Sequence, residues 1–200
     1  GGVGVVVRLP QSLRLPDLDT IGQTALWQTG RWMQAFVPFS ATTGLFVASF
    51  WGLPGARGSK DLYHRNEQLW KKVLAAGATV GDVPYFICAD GNVQPQESAV
   101  LRQALGTKLW CDVADYLSAE RNASDKPLPT FGPPDWDGSS EGVGTSRIDY
   151  ILCNAAGRQL LEKCERIQDA CTPGHLPVQV WLNMKAFQDQ YYTFQMPAKA

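Results

Sequence analysis

A length of 200 residues suits one domain able to bury roughly 70% of its unfolded surface, so neither a disulfide framework nor a metal is required merely to fold. Apolar residues at 44%, charged residues at 18%, and 19 Gly, 13 Pro and 7 Trp exclude a disordered tail, a coiled coil and a collagen-like repeat. Eighteen Lys and Arg against 19 Asp and Glu leave a net charge of −1, which gives no overall field toward nucleic acid or an anionic membrane. A polyanion would have to be gripped by a local patch.

The β-branched run at residues 3–7 predicts a buried strand, ended by the Pro-rich stretch 10–19. Residues 32–39 and 45–51 predict an antiparallel pair, because the Ser40–Gly44 connection has hairpin length and contains a glycine. Over 62–76, Leu62, Leu69, Trp70, Val73 and Leu74 recur at helical spacing, with charged residues elsewhere and Gly77 as the expected stop. Residues 84–89 are continuously apolar, as in a central strand buried on both faces, and run into Asp90-Gly91-Asn92. A short helix at 97–105 and a strand at 109–113 follow, then a Pro- and Gly-rich loop over 118–145. Strands at 147–154 and 177–183 flank a helical piece near 159–169, and the tail 186–200 reads as a linker beyond a domain spanning 1–185.

Five cysteines without any CxxC spacing fit a reduced, intracellular chain, and the sequon at Asn122 has no signal peptide beside it. No apolar run approaches the ~18 residues of a membrane span. The chain has no initiator Met and begins on a strand-like segment, which leads to the expectation that it starts inside its domain.

Two constellations carry chemistry. Asp90 and Asn92 are two apart at a strand end, so in extended backbone both leave on one face, where a carboxylate and a carboxamide position a water; the plain alternative is an Asx-type turn. Asp149 alternates with Ile148 and Tyr150 on a strand, and His175 sits before another strand. An Asp that hydrogen-bonds a His fixes the ring and favours its charged form; the plain alternative is two unrelated surface groups.

In chain order, the Gly2-Val3 strand, Ser49-Phe50-Trp51-Gly52, Ile87-Cys88-Ala89-Asp90-Gly91-Asn92, Pro129-Thr130-Phe131, Ser146-Arg147-Ile148-Asp149-Tyr150-Ile151-Leu152 and His175-Leu176-Pro177-Val178 resemble the endonuclease/exonuclease/phosphatase superfamily. Pro-Thr-Phe followed by Ser-Arg-Ile-Asp-Tyr-Ile-Leu is most similar to the endonuclease domains of non-LTR retroelements. The resemblance implies a four-layered α/β sandwich of two packed sheets flanked by helices, Mg²⁺-dependent phosphodiester hydrolysis, DNA as partner, a downstream reverse transcriptase in the same polyprotein and a nuclear site of action. It makes Asp90 the group that orients or deprotonates water, Asn92 its partner toward water or phosphate, and His175 with Asp149 the catalytic pair. Trp51 and Arg147 fall at substrate-contacting positions, Arg147 being equally explained as a surface side chain flanking a strand.

Four departures from the family pattern bear on activity. Ala89 replaces the usual Gly, Trp51 replaces a Tyr whose hydroxyl meets phosphate, Gly174 replaces an Asp on the metal, and the family's first strands, with an Asn and a metal-binding Glu, have no counterpart in this sequence. A weakened Mg²⁺ site and an impaired hydrolase follow as expectations, with an inactive remnant in a binding or scaffold role as the alternative and a lipid or inositol phosphatase as a further one. Glu97 and Asp169 are the nearest carboxylates for replacing a metal ligand, although solvated side chains are the simpler reading.

Overall fold

A computed structural model describes residues 3–8, 12–18, 21–40, 43–120, 127–133, 136, 144–168, 174–183 and 185. The elements are helix α1 (Ile21–Gln28), strands β1 (Trp32–Pro38) and β2 (Gly44–Trp51), helix α2 (Lys60–Ala78), β3 (Tyr85–Asp90), α3 (Ala99–Gly106), β4 (Trp110–Asp112), α4 (Val113–Glu120), β5 (Asp149–Asn154), the single turn α5 (Ala155–Arg158), β6 (Leu161–Arg166) and β7 (Val178–Leu182). Five strands form a mixed sheet in the order β1-β2-β3-β5-β4, and β6 and β7 form a second sheet. Among the described strands only β2 and β3 run parallel, because α2 carries the chain back across the sheet between them.

Strand alternation divides the large sheet into two chemically distinct faces. Ala48, Phe50, Tyr85, Ile87, Ala89, Tyr150 and Leu152 join Trp70 and Val73 of α2 and Leu101 of α3 in the main core. Trp70 meets the Phe50 ring edge-on at 4.5 Å between centroids and stacks on Tyr150 at 5.8 Å. The opposite face presents Leu45, Phe86, Ile151 and Cys153 to Val113 and Leu117 of α4 and to Leu161, Cys164, Val178 and Val180 of β6 and β7. Helices, large sheet and small sheet therefore stack as successive layers, the α/β sandwich expected of the sequence.

Two polar devices fix α2 and α3. The Ser59 hydroxyl caps α2 by accepting from the Leu62 amide. Glu67, on the buried side of α2, accepts from the Ser98 hydroxyl at 2.5 Å and from the Val100 amide at 2.9 Å, so one carboxylate serves the start of α3. The expected stop at Gly77 lies inside α2: an added Cβ would come within 2.5 Å of the Trp110 ring, so this glycine allows close packing while Thr79 ends the helix.

Other departures from expectation have local causes. Residues 3–8 form no strand ladder; Val7 packs on the second core face while Val6 is exposed. Helix α1 carries no charged side chain, and Gln23 and Leu26 are buried on it. The stretch near 159–169 is strand β6 rather than helix, since its leucines and Cys164 pack beside β7. Helix α4 occupies the start of the expected loop. Asn122, Asp169 and the tail 186–200 lie outside the described residues, and among the described residues no helix is long and apolar enough to cross a membrane.

Candidate active site

Pairing across three strands sets Trp51, Asp90 and Asp149 in one row. Trp51 is opposite Asp90 in the parallel β2–β3 ladder, and Asp90 is opposite Asp149 in the antiparallel β3–β5 ladder. All three belong to the alternation set of the face away from α2. With Ser49, Cys88 and Val178 they line a cleft of about 530 Å³.

Asn92 turns back onto this row. Its backbone is left-handed at φ 54°, a region asparagine tolerates better than most residues. Its amide nitrogen donates to Asp90 Oδ1 at 3.0 Å and to the Gly52 carbonyl at 3.4 Å, and its backbone N–H reaches Asp90 Oδ1 at 3.3 Å. The turn alternative and the functional one thus coincide. Trp51 also hydrogen-bonds Asp90 through its indole, while the Arg31 guanidinium lies 4.5 Å over the indole ring and donates to the Gly52 carbonyl at 2.9 Å. Nothing in the local sequence signals Arg31.

His175 arrives from the other sheet. Its Nδ1 lies 3.0 Å and 3.2 Å from the two Asp149 carboxylate oxygens. The segment Thr130–Gly132 carries this meeting: the Thr130 carbonyl accepts from the Leu176 amide at 2.7 Å, the Gly132 amide donates to the Gly174 carbonyl at 3.0 Å, and the Phe131 ring sits 4.8 Å from the imidazole. The Thr130 hydroxyl accepts from the Asp149 amide at 2.9 Å, and the Arg166 guanidinium holds the Pro129 carbonyl at 2.6 Å. The Pro-Thr-Phe motif is therefore the strut between Asp149 and His175, a role its residue types alone do not disclose.

Arg147 does not join the cleft. It is 5% exposed, its guanidinium clasps both Asp112 carboxylate oxygens and reaches Asp115 at 3.5 Å, and it lies over the Tyr150 ring. This departs from the reading of Arg147 as a surface side chain, because burial of Asp112 at the sheet edge demands a cation. Glu97 is likewise engaged elsewhere, accepting from Arg57 at 2.8 Å and from the Gln94 amide at 3.1 Å. Gly174 has φ +76°, and an added Cβ would lie 3.1 Å from the Gly132 carbonyl, so an aspartate there meets both backbone strain and a tight neighbour.

Burial dominates the electrostatics. It raises the Asp90 carboxyl above its ordinary range, with His175, Asn92 and Trp51 pulling it back. Burial likewise pushes Asp149 up to about 6, opposed by His175 and reinforced by the negative charge of Asp90. A carboxyl raised on folding contributes its full stability below its unfolded value near 3.8 and loses it as pH rises through about 6. Asp149→Asn is therefore expected to match the parent near pH 4 and to melt roughly 5 °C higher at pH 7.5, since about two pKa units correspond to ~2–3 kcal/mol. Melting curves across that range check it; a lower melting temperature at pH 7.5 would show that the ion pair with His175 outweighs desolvation.

Asp90, Asp149 and His175 each offer a ligand atom within 4.8 Å of the others, so the set fits a cation in part. Asp149 is occupied by His175, which leaves Asp90 as the carboxylate suited to Mg²⁺, an ion often held by one or two carboxylates together with substrate phosphate.

A half-buried acid at each of two adjacent strand ends and a histidine held by one of them sit on a sheet pair flanked by helices, and the chain has the DNase I-like fold of solved nucleases and phosphatases. Solved structures similar to this chain include an AP endonuclease from Leishmania major (TM-score 0.60, 13% identity, 76% of this chain and 54% of that one) and the endonuclease domain of TRAS1, a telomere-specific non-LTR retrotransposon (TM-score 0.59, 12% identity, 88% and 71%). A 3′ phosphatase from Neisseria bound to product DNA hairpin is similar at TM-score 0.55, 18% identity, 88% and 71%. This chain thus spans about half the length of the Leishmania protein. No protein-family model and no curated protein sequence matches it.

Proposed function

We propose that the chain is a phosphodiester hydrolase domain acting on DNA, of the kind carried by retroelement polyproteins ahead of a reverse transcriptase, and working in the nucleus. The observation that carries this reading is the Asp149–His175 pair at 3.0 Å beside the hydrogen-bonded Asp90 and Asn92. The nuclease and phosphatase activities named for structural neighbours support it.

In this reading Asp149 holds His175 by Nδ1, leaving Nε2 to meet the phosphate, where an imidazolium stabilises the charge that develops in the transition state. Asp90, desolvated and raised, accepts a proton from the attacking water or orients it, and Asn92 fixes the carboxylate that does so. Mg²⁺, held by Asp90 and by the substrate, would supply Lewis-acid stabilisation of a phosphoryl oxygen. Glycine at 174 and tryptophan at 51 thin the metal and phosphate contacts, so we propose slow turnover.

The test is nicking of supercoiled plasmid by this chain across a Mg²⁺ titration, with EDTA and Asp90→Asn as controls. Slow nicking that rises with Mg²⁺ and fails in both controls is expected. A folded protein that binds DNA but never nicks it would instead favour a non-catalytic binding role, which the missing carboxylate at Gly174 motivates.

A further inference from the structure

Strands β4 and β5 place Cys111 directly opposite Cys153, and their sulfurs lie 3.2 Å apart. Residues opposed in an antiparallel ladder have Cα atoms about 4.5–5.5 Å apart, inside the ~4.4–6.8 Å range that a disulfide spans. The backbone is already in position for a bond between them.

The two thiols differ in access. Cys153 is fully buried in the second core, whereas Cys111 is half-buried and lines a separate cleft of about 400 Å³ with Lys108, Tyr116 and Arg158. The hydrogen bond from Cys153 lowers the Cys111 thiol below its ordinary range, and the Arg158 cation adds to this. Burial pushes Cys88 and Cys164 up to about 11, which leaves both as poor nucleophiles.

We propose that Cys111 and Cys153 form a reversible dithiol–disulfide couple, oxidised by a peroxide that reaches Cys111 through this cleft. The Cys111 thiolate attacks one peroxide oxygen; a sulfur–oxygen bond forms, the oxygen–oxygen bond breaks, and the departing hydroxide takes up the thiol proton as water. The Cys153 sulfur then attacks the Cys111 sulfur; the sulfur–sulfur bond forms, the sulfur–oxygen bond breaks, and hydroxide leaves with the Cys153 proton as a second water. Two thiols and one hydrogen peroxide give one disulfide and two waters, and a dithiol reductant reverses the change. The couple is independent of the hydrolase reading.

The experiment treats the full chain with stoichiometric hydrogen peroxide, alkylates the remaining thiols, and reads intact mass and cross-linked peptides. The five alkylatable thiols of the reduced chain should fall to three, with a peptide linking positions 111 and 153 that dithiothreitol releases. The same link should survive combined replacement of Cys88, Cys164 and Cys171 by serine and disappear in Cys111→Ser. Closing a 42-residue separation should also raise the melting temperature of the oxidised protein by several degrees. If Cys111→Ser does not fold, the triple-serine protein carries the test alone. Retention of both thiols, sulfinic acid on Cys111 without a link, or a disulfide joining any other pair would overturn the proposal.

Discussion

Arg147→Ala should melt roughly 10 °C below the parent. The substitution leaves the Asp112 carboxylate, 3% exposed, without the guanidinium that clasps both its oxygens, and stranding one partner of a buried ion pair costs ~3–5 kcal/mol. In a chain of this length each kcal/mol corresponds to about 2–4 °C. The Arg147→Met, Asp112→Leu double variant should recover much of the loss, because an apolar pair of similar volume removes both desolvation penalties. Differential scanning calorimetry on the three proteins distinguishes this from a substrate contact: an Arg147→Ala protein that melts like the parent but binds DNA less tightly would return the residue to the phosphate.

His175→Ala should lower Mg²⁺-dependent cleavage by ~10²–10⁴-fold, the range for removal of one acid–base group. Its thermal stability should change far less, since the imidazole is 30% exposed and leans on the Phe131 ring rather than filling a core. The variant also carries a signature that mere loss of packing would lack. His175 holds the Asp149 carboxyl down, so its removal should raise the Asp149 pKa further above 6, which a carboxyl ¹³C titration reads directly. Equal rates for parent and variant would assign the cleavage to another protein in the preparation.

Local patterning carried most of the sheet. The β-branched and aromatic runs of β1, β2, β3 and β5, and the helical spacing of Leu69, Trp70, Val73 and Leu74, have one residue's environment fixed by its near neighbours. Helix α1 and strand β6 escaped because tertiary packing decides them: α1 leans on α2 through Gln23 and Thr79, and β6 exists through its pairing with β7. At the site, motif order indicated Asp90, Asn92, Asp149 and His175, and the structure brings all four together with Trp51. The burial of Arg147 is not legible in the sequence because its partner, Asp112, lies 35 residues away on a different strand, and no spacing rule reaches that far. The Cys111–Cys153 opposition was equally hidden, since it depends on the register of β4 against β5.

That dependence on register has a consequence for how the protein refolds. A one-residue slip of β5 against β3 would send Asp149 in among Trp70 and Phe50 and turn Tyr150 out toward the cleft, because strand faces alternate. The hairpin β1–β2 and helix α2 rest on contacts near in sequence, whereas β3 meets β5 only after the chain through α3, β4 and α4 has been closed into a loop. On the proposed hydrolase reading, recovery of activity after dilution from denaturant is a clock for that closure. Helical circular dichroism should return first, and turnover should appear only in molecules whose central strands have met in the right phase.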